Sequence, residues 1–212
     1  MANLLTGGYG LRPIGITGSG PNSTGTTQYE IAAANTNAIF HGGIVIPLST
    51  GFIDKNVGNG GVAPLGVLHG VEYVDSGTGK TVFKNFWPGA NSVSVDTNHP
   101  VKAFVFDNPM QLFTVVADGT NTDRATAQAD VFANCDMATL NDGSTSTGQS
   151  TDMLDISSAA TTNTLDVRIV GIYEDDANSD FSAVGHQYIV RLNGHYNTGT
   201  TAAVGTYATT GI

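Results

Sequence analysis

Five histidines, His41, His69, His99, His186 and His195, are the side chains with the widest chemical range. They are scattered, without the i, i+4 spacing or the cysteine partners that a metal site uses. Polar or interface histidines are therefore expected, with a two- or three-histidine site assembled by the fold as the lesser alternative. The lone Cys135 supplies neither a disulfide framework nor a thiolate set for zinc. Gly77-Thr78-Gly79-Lys80-Thr81 imitates the end of a phosphate-binding loop, but Val74 stands where that motif needs its first glycine, and no helix follows. A hairpin turn is the expectation there. Glu174-Asp175-Asp176 and the stretch 118–123 offer carboxylates for calcium without a recognised loop pattern, so solvated turns are expected instead. There is no Gly-x-Ser-x-Gly elbow, and any Ser/His/Asp set would be an arbitrary choice. Trp87, in Asn85-Phe86-Trp87-Pro88-Gly89, could stack on a sugar; a single tryptophan is more often a core or interface anchor. The expectation is no enzyme, no catalytic site, no metal and no cofactor.

Composition narrows the partners. The 212 residues include 18 acidic and 8 basic side chains, a net charge of -10, which argues against nucleic acid because phosphate binding needs a basic face. With 40% hydrophobic and 12% charged residues the chain can bury a core. No apolar run approaches the roughly 18 residues of a membrane span, and Met1-Ala2-Asn3-Leu4-Leu5 lacks the basic start of a signal peptide, so neither membrane anchorage nor export is expected.

Glycine (27), proline (7) and threonine (27) favour turns and strands over helices, pointing to an all-β fold, a short-stranded β-barrel or β-sandwich with long loops. Residues 1–27 hold seven glycines and little apolar content beyond Tyr9 to Ile16, and are expected to form an extended N-terminal arm. Strands are expected at 28–31, 38–40, 44–48, 65–74, 81–83, 92–95, 101–106, 112–117, 165–173 and 186–192. Gly66 and Gly70 suggest a bulge or barrel corner. Residues 54–61 and 174–180 read as loops, and 141–164 as a long surface connection. Residues 123–134 gather the helix formers, with Asp123 a possible N-cap, and fit at most one short helix or an irregular strand. The tail, 198–212, is Gly, Thr and Ala and is expected to be flexible.

Several stretches then resemble one family. Tyr9-Gly10-Leu11-Arg12-Pro13, Gln28-Tyr29 through Phe40, Gly42-Gly43, Gly70-Val71-Glu72-Tyr73, Thr78-Gly79-Lys80, Phe86-Trp87-Pro88-Gly89 and Phe106-Asp107-Asn108-Pro109 occur in the order seen in head decoration, or cement, proteins of tailed bacteriophages. Thr147-Gly148-Gln149-Ser150, Arg168-Ile169-Val170-Gly171 and Arg191-Leu192-Asn193-Gly194-His195 extend the likeness to about residue 196. Family members often carry an acidic residue where this chain has Gly43.

The resemblance implies a β-rich domain over 28–197, a homotrimer, and a place on the outer surface of the virion, clamping neighbouring copies of the phage major capsid protein. It carries no catalytic motif. Tyr9, Leu11, Arg12 and Pro13, with Phe86 and Trp87, are the candidate protein-interface residues. The arm is expected to reach across a capsid or protomer boundary, so that removing residues 1–20 would abolish binding and spare the fold. A virion-surface glycan-binding or host-adhesion module is the alternative.

Overall fold

The computed structural model describes residues 3–18, 25–57, 63–138 and 142–198. Apart from Thr198, the expected tail lies outside the described residues. Twelve strands run in chain order: β1 (Arg12–Ile16), β2 (Thr27–Ile31), β3 (Ile44–Pro47), β4 (Ile53–Lys55), β5 (Gly66–Val74), β6 (Thr81–Lys84), β7 (Val101–Phe106), β8 (Gln111–Val116), β9 (Asn134–Met137), β10 (Leu154–Ala160), β11 (Val167–Ile172) and β12 (Gln187–Leu192). Among the described residues there is a single α-helix, α1 (Arg124–Ala129), capped by the Asp123 carboxylate, which accepts from the Thr126 N–H. The fold is all-β.

The strands form two six-stranded sheets, ordered β1-β8-β12-β11-β9-β10 and β3-β4-β2-β7-β5-β6. In the second sheet β3 also pairs with β5, so five strands close into a ring and β6 hangs outside it. The first sheet curls until Leu154 of β10 bridges Ala117, just past β8, and the Asp118 N–H donates to the Leu154 carbonyl at 3.0 Å. Here β1 is the strand left outside. Each ring is small enough for side chains alone to fill it.

Alternation along the strands explains the two cores. Val101, Ala103 and Val105 of β7, with Leu68, Val71 and Tyr73 of β5, fill the second barrel around Trp87. From the opposite faces of β3, β5 and β7, Ile44, Val67 and Phe106 pack into the first core beside Leu11, Phe113, Tyr188 and Val190. The register of β5 on β7 slips between Leu68 and Gly70, the expected bulge, which lets one strand serve both cores. Residues 75–80 make the expected hairpin turn between β5 and β6, and no helix follows to receive a phosphate.

Several expectations need correction. The stretch 92–95 is irregular rather than a strand: it meets the end of β5 through the Asp75–Val95 bridge and packs Val93 and Val95 against the second core, without a full ladder. The loop expected from residue 54 is entered by a short strand, β4, whose Ile53 is buried. The surface connection at 141–164 contains β10, held by the buried Leu154 and Ile156, the apolar pair of that stretch.

The arm is extended but not free. Leu11 is fully buried in the first core, β1 pairs antiparallel with β8, and the buried Asn3 side chain donates to the carbonyls of Asp180, Ala183 and Val184. Its apolar residues are spaced for a core rather than for solvent. Deleting residues 1–20 is therefore expected to destabilise the first barrel by more than about 3 kcal/mol, since truncating a buried leucine alone costs roughly 2–5 kcal/mol. Chemical denaturation of the truncated chain, read as a fall in midpoint, checks this.

Candidate functional site

Four of the stretches that carry the resemblance meet at one junction on the seam between the barrels. The Leu11 N–H donates to the Gly42 carbonyl at 2.8 Å, and the Gln149 side chain donates from Nε2 to the Tyr9 carbonyl at 2.7 Å. His41 exchanges main-chain bonds with Gly148 and Ser150, and Asn85 Nδ2 donates to the Thr147 carbonyl at 2.8 Å. Phe40 and Phe86 stack with ring centres 5.5 Å apart and planes 7° from parallel. Glycine is needed here. At Gly10, where φ is +72°, a Cβ would sit 2.6 Å from the Gly42 oxygen, and at Gly148, with φ +71°, it would strike Asn85.

This junction holds most of the candidate interface residues, and holds them inside. Tyr9, Leu11, Phe86 and Trp87 are buried, Pro13 is half-buried, and only Arg12 presents its side chain to solvent. Tyr9 donates its hydroxyl to Gln187 Oε1 at 2.5 Å, and the Arg12 guanidinium lies 4.2 Å over the Tyr9 ring. Trp87 has no exposed surface; its Nε1 donates to the Asn35 carbonyl at 3.1 Å and its ring meets Tyr73 edge-on at 5.8 Å. It cannot serve as a sugar platform without unpacking the second core. These aromatic residues are structural because their spacing matches the interior of a barrel, which an interface motif also resembles in sequence.

The titratable groups are similarly employed. His41 and His69 are neighbours at 5.4 Å between ring centres, with His41 Nδ1 2.8 Å from the His69 carbonyl oxygen, while His99 pairs with Asp96 at 3.0 Å. His186 and His195 are buried far from that pair in the sequence, and among the described residues no group of three or more ligating side chains could hold a metal ion. The carboxylates of the two acidic stretches cap turns: Asp123 starts α1, and Asp175 accepts from the Ala177 N–H at 2.9 Å. Glu174 pairs with Arg124 at the surface. Burial pushes the Cys135 thiol up to about 12, which leaves it protonated and unreactive at neutral pH.

Compared with models of known protein families, with curated proteins and with solved structures, the chain matches none. The surface must therefore speak for itself. Its most unusual part is the outer face of β1, β8, β12 and β11. Of the residues alternating with the core-facing Val167, Ile169, Val190 and Phe113, Thr114, Val116 and Gln187 are buried, while Arg168 and Arg191, directly opposed across β11 and β12, are half-buried, and Arg168 Nε donates to Asn134 Oδ1 at 2.9 Å. Arg12 faces Thr114 in the next row, and Thr114 faces Ile189. Phe132, 52% exposed, lies where the β9–β11 ladder becomes irregular: its N–H donates to the Ile169 carbonyl at 3.0 Å, while the Ile169 N–H donates to the Ala133 carbonyl at 2.9 Å. Phe132 carries φ +78°, the one positive φ among described non-glycine residues. Sequence reasoning passed over it because Phe132 sits in the helix-like stretch 123–134; the only hint was a bulky aromatic next to a run of small residues. Arg168 and Arg191 were visible only as parts of the resemblance.

Two outcomes follow. Trp87→Ala is expected to cost about 3–5 kcal/mol, the usual penalty for truncating a fully buried large aromatic, read as the shift in urea midpoint. The second concerns acid. His186 lies between the Phe181 and Tyr188 rings, and burial lowers the pKa of both His186 and His195 below the usual histidine value. An unfolded chain takes up those protons near pH 6.5, whereas the folded chain resists them. Stability is thus full above about 6.5 and falls as pH drops through that value, by at most about 1.4 kcal/mol per pH unit for each histidine. Asp118, Asp136 and Asp166, whose pKa values burial raises, act with the opposite sign closer to the carboxylate range. Denaturation midpoints between pH 7.5 and 5.5 are therefore expected to decline, and to decline less in His186→Phe.

Proposed function

We propose that this protein is a structural component of a tailed-phage virion, a decoration or cement protein that binds the outer surface of the mature head as a homotrimer and stabilises contacts between major capsid proteins. The observation that carries the reading is the junction: stretches around residues 10, 42, 86 and 148, which resemble the decoration family and are far apart in the chain, pack against one another. That these four distant stretches share one packed place supports reading them together, as parts of one arrangement.

Three physical features support the role. Two small barrels with a shared wall make a rigid block, suited to spanning a joint between shell subunits. The net charge of -10 discourages the free protein from self-association at random. Each copy needs only modest affinity, because a ligand that binds the expanded shell and not its precursor adds its binding free energy to the stability of the expanded form, summed over many copies. The glycan-binding alternative rests on the β-rich, Thr-rich composition and on Trp87 with its neighbouring Tyr and Phe residues, and the enclosure of the Trp87 ring removes the tryptophan from that argument.

Co-sedimentation with phage heads that lack the protein tests the proposal. Saturable binding to expanded heads, and none to compact precursor heads, is the expected outcome. Absence of binding to both would remove the decoration reading.

A further inference from the structure

The slip in the β5–β7 register leaves His69 as the extra residue between Leu68, which faces Val105, and Gly70, which faces Phe104. A bulged residue stands outside the ladder, so its carbonyl is free to bond elsewhere and its side chain is re-aimed. The His69 carbonyl oxygen accepts from His41 Nδ1 at 2.8 Å, and the two imidazole rings lie 5.4 Å apart between centres, with their planes at 58°. Phe106 supports the His69 ring at 5.0 Å. His69 is exposed and His41 half-buried, so the pair opens to water.

The backbone around His41 is fixed on both sides. Its N–H donates to the Gly148 carbonyl at 3.0 Å, and its carbonyl accepts from the Ser150 N–H at 2.9 Å and from Gln149 Nε2 at 3.2 Å. The Gly42 N–H donates to the Leu68 carbonyl at 2.9 Å, and the Leu68 N–H to the Gly43 carbonyl at 3.0 Å, which fastens this loop to β5 beside the bulge. Because a carbonyl only accepts, the 2.8 Å contact puts the proton of neutral His41 on Nδ1 and leaves the lone pair on Nε2. Metal-binding histidines are held in this way, one nitrogen donating to a carbonyl and the other ligating. Among the described residues neither ring nitrogen of His69 has a hydrogen-bond partner, and partial burial, then the neighbouring His41, lower its pKa and keep it neutral at neutral pH. Two imidazoles bound to one zinc ion at about 2.0–2.1 Å and a near-tetrahedral angle have ring centres roughly 5 Å apart, close to the separation of this pair.

We propose that His41 and His69 form a two-histidine surface site for a divalent ion of the zinc class, with water completing the coordination. Imidazole nitrogen suits such borderline ions, whereas magnesium and calcium take oxygen ligands. A bound ion ties the loop at residues 41–43 to β5 and adds its binding free energy to the stability of the fold. The inference is independent of the decoration reading.

Titration calorimetry with zinc chloride or magnesium chloride, and denaturation midpoints in zinc chloride or in EDTA, are measured at about pH 7.5, where imidazoles are neutral. The full chain is compared with His41→Gln, His69→Gln and His99→Gln. The parent is expected to take up one zinc ion per chain, to gain in midpoint with zinc, and to ignore magnesium. Zinc affinity is expected to fall at least tenfold in His41→Gln and in His69→Gln. His99, paired with Asp96 elsewhere on the surface, is expected to be replaceable without effect on zinc. Because the His69 side chain is exposed, His69→Gln is expected to keep the parent midpoint in EDTA, so its weaker binding reports a lost ligand; should His41→Gln melt lower in EDTA, His69→Gln decides. A parent midpoint that zinc leaves unchanged or lowers overturns the proposal. So do parent-like zinc binding by His69→Gln, an equal loss in His99→Gln, and equal affinity for magnesium.

Discussion

Over the stretch they share between the two cores, strands β3, β5 and β7 must be apolar on both faces at once, and the rest of the molecule is organised around that demand. One face fills the second barrel; the other gives Ile44, Val67 and Phe106 to the first. A wall of this kind has no solvated side along the shared stretch, so neither barrel can lose it and remain closed. The slip at Leu68–Gly70 is how a single strand changes allegiance along its length, and Gly66 fits because its missing side chain would meet the Phe106 carbonyl. The seam that results is where chain segments cross most closely, which is why glycines at 10 and 148 collect there.

Much of this architecture was legible in the sequence, because strand signals depend on local alternation and turn chemistry. β5, β7, β8, β11 and β12 fall where β-branched runs lie between turn residues, and the Asp123 cap of α1 is a one-residue signal with a specific hydrogen bond behind it. The misreadings share a cause. β10 and the docked N-terminal segment hold their places through a few apolar anchors, Leu154, Ile156 and Leu11, set among polar or glycine residues. Local composition suggests solvent in such segments, and only the long-range partners reverse that. The stretch at 92–95 failed in the other sense: it alternates well but meets only the end of β5, where a single bridge forms.

The candidate interface shows the same limit in sharper form. Aromatic residues next to glycine and proline, as at Phe86-Trp87-Pro88-Gly89, look equally suited to a contact surface and to a tight barrel corner, and the side chain cannot say which. Phe132 gave almost no signal, since its distinction is a backbone angle. The opposed arginines are 23 positions apart, and their facing geometry exists only through the β11–β12 register. What composition conveyed was the charge balance alone, 18 acidic side chains against 8 basic.

The order of strands also sets a schedule for synthesis. The second barrel uses β2 to β7, a continuous piece of chain from Thr27 to Phe106, whereas the first joins β1 to strands that begin at Gln111 and end at Leu192. On the ribosome the second barrel can close while the remainder is still being made. β1 emerges before all of it, yet its partner β8 follows about a hundred residues later, and Asn3 waits for Asp180 and its neighbours. Such distant pairings are slow to form. The nascent chain therefore carries its N-terminal segment undocked through most of translation, and the glycine-rich, sparsely apolar character of that segment is what keeps the delay from becoming a hazard.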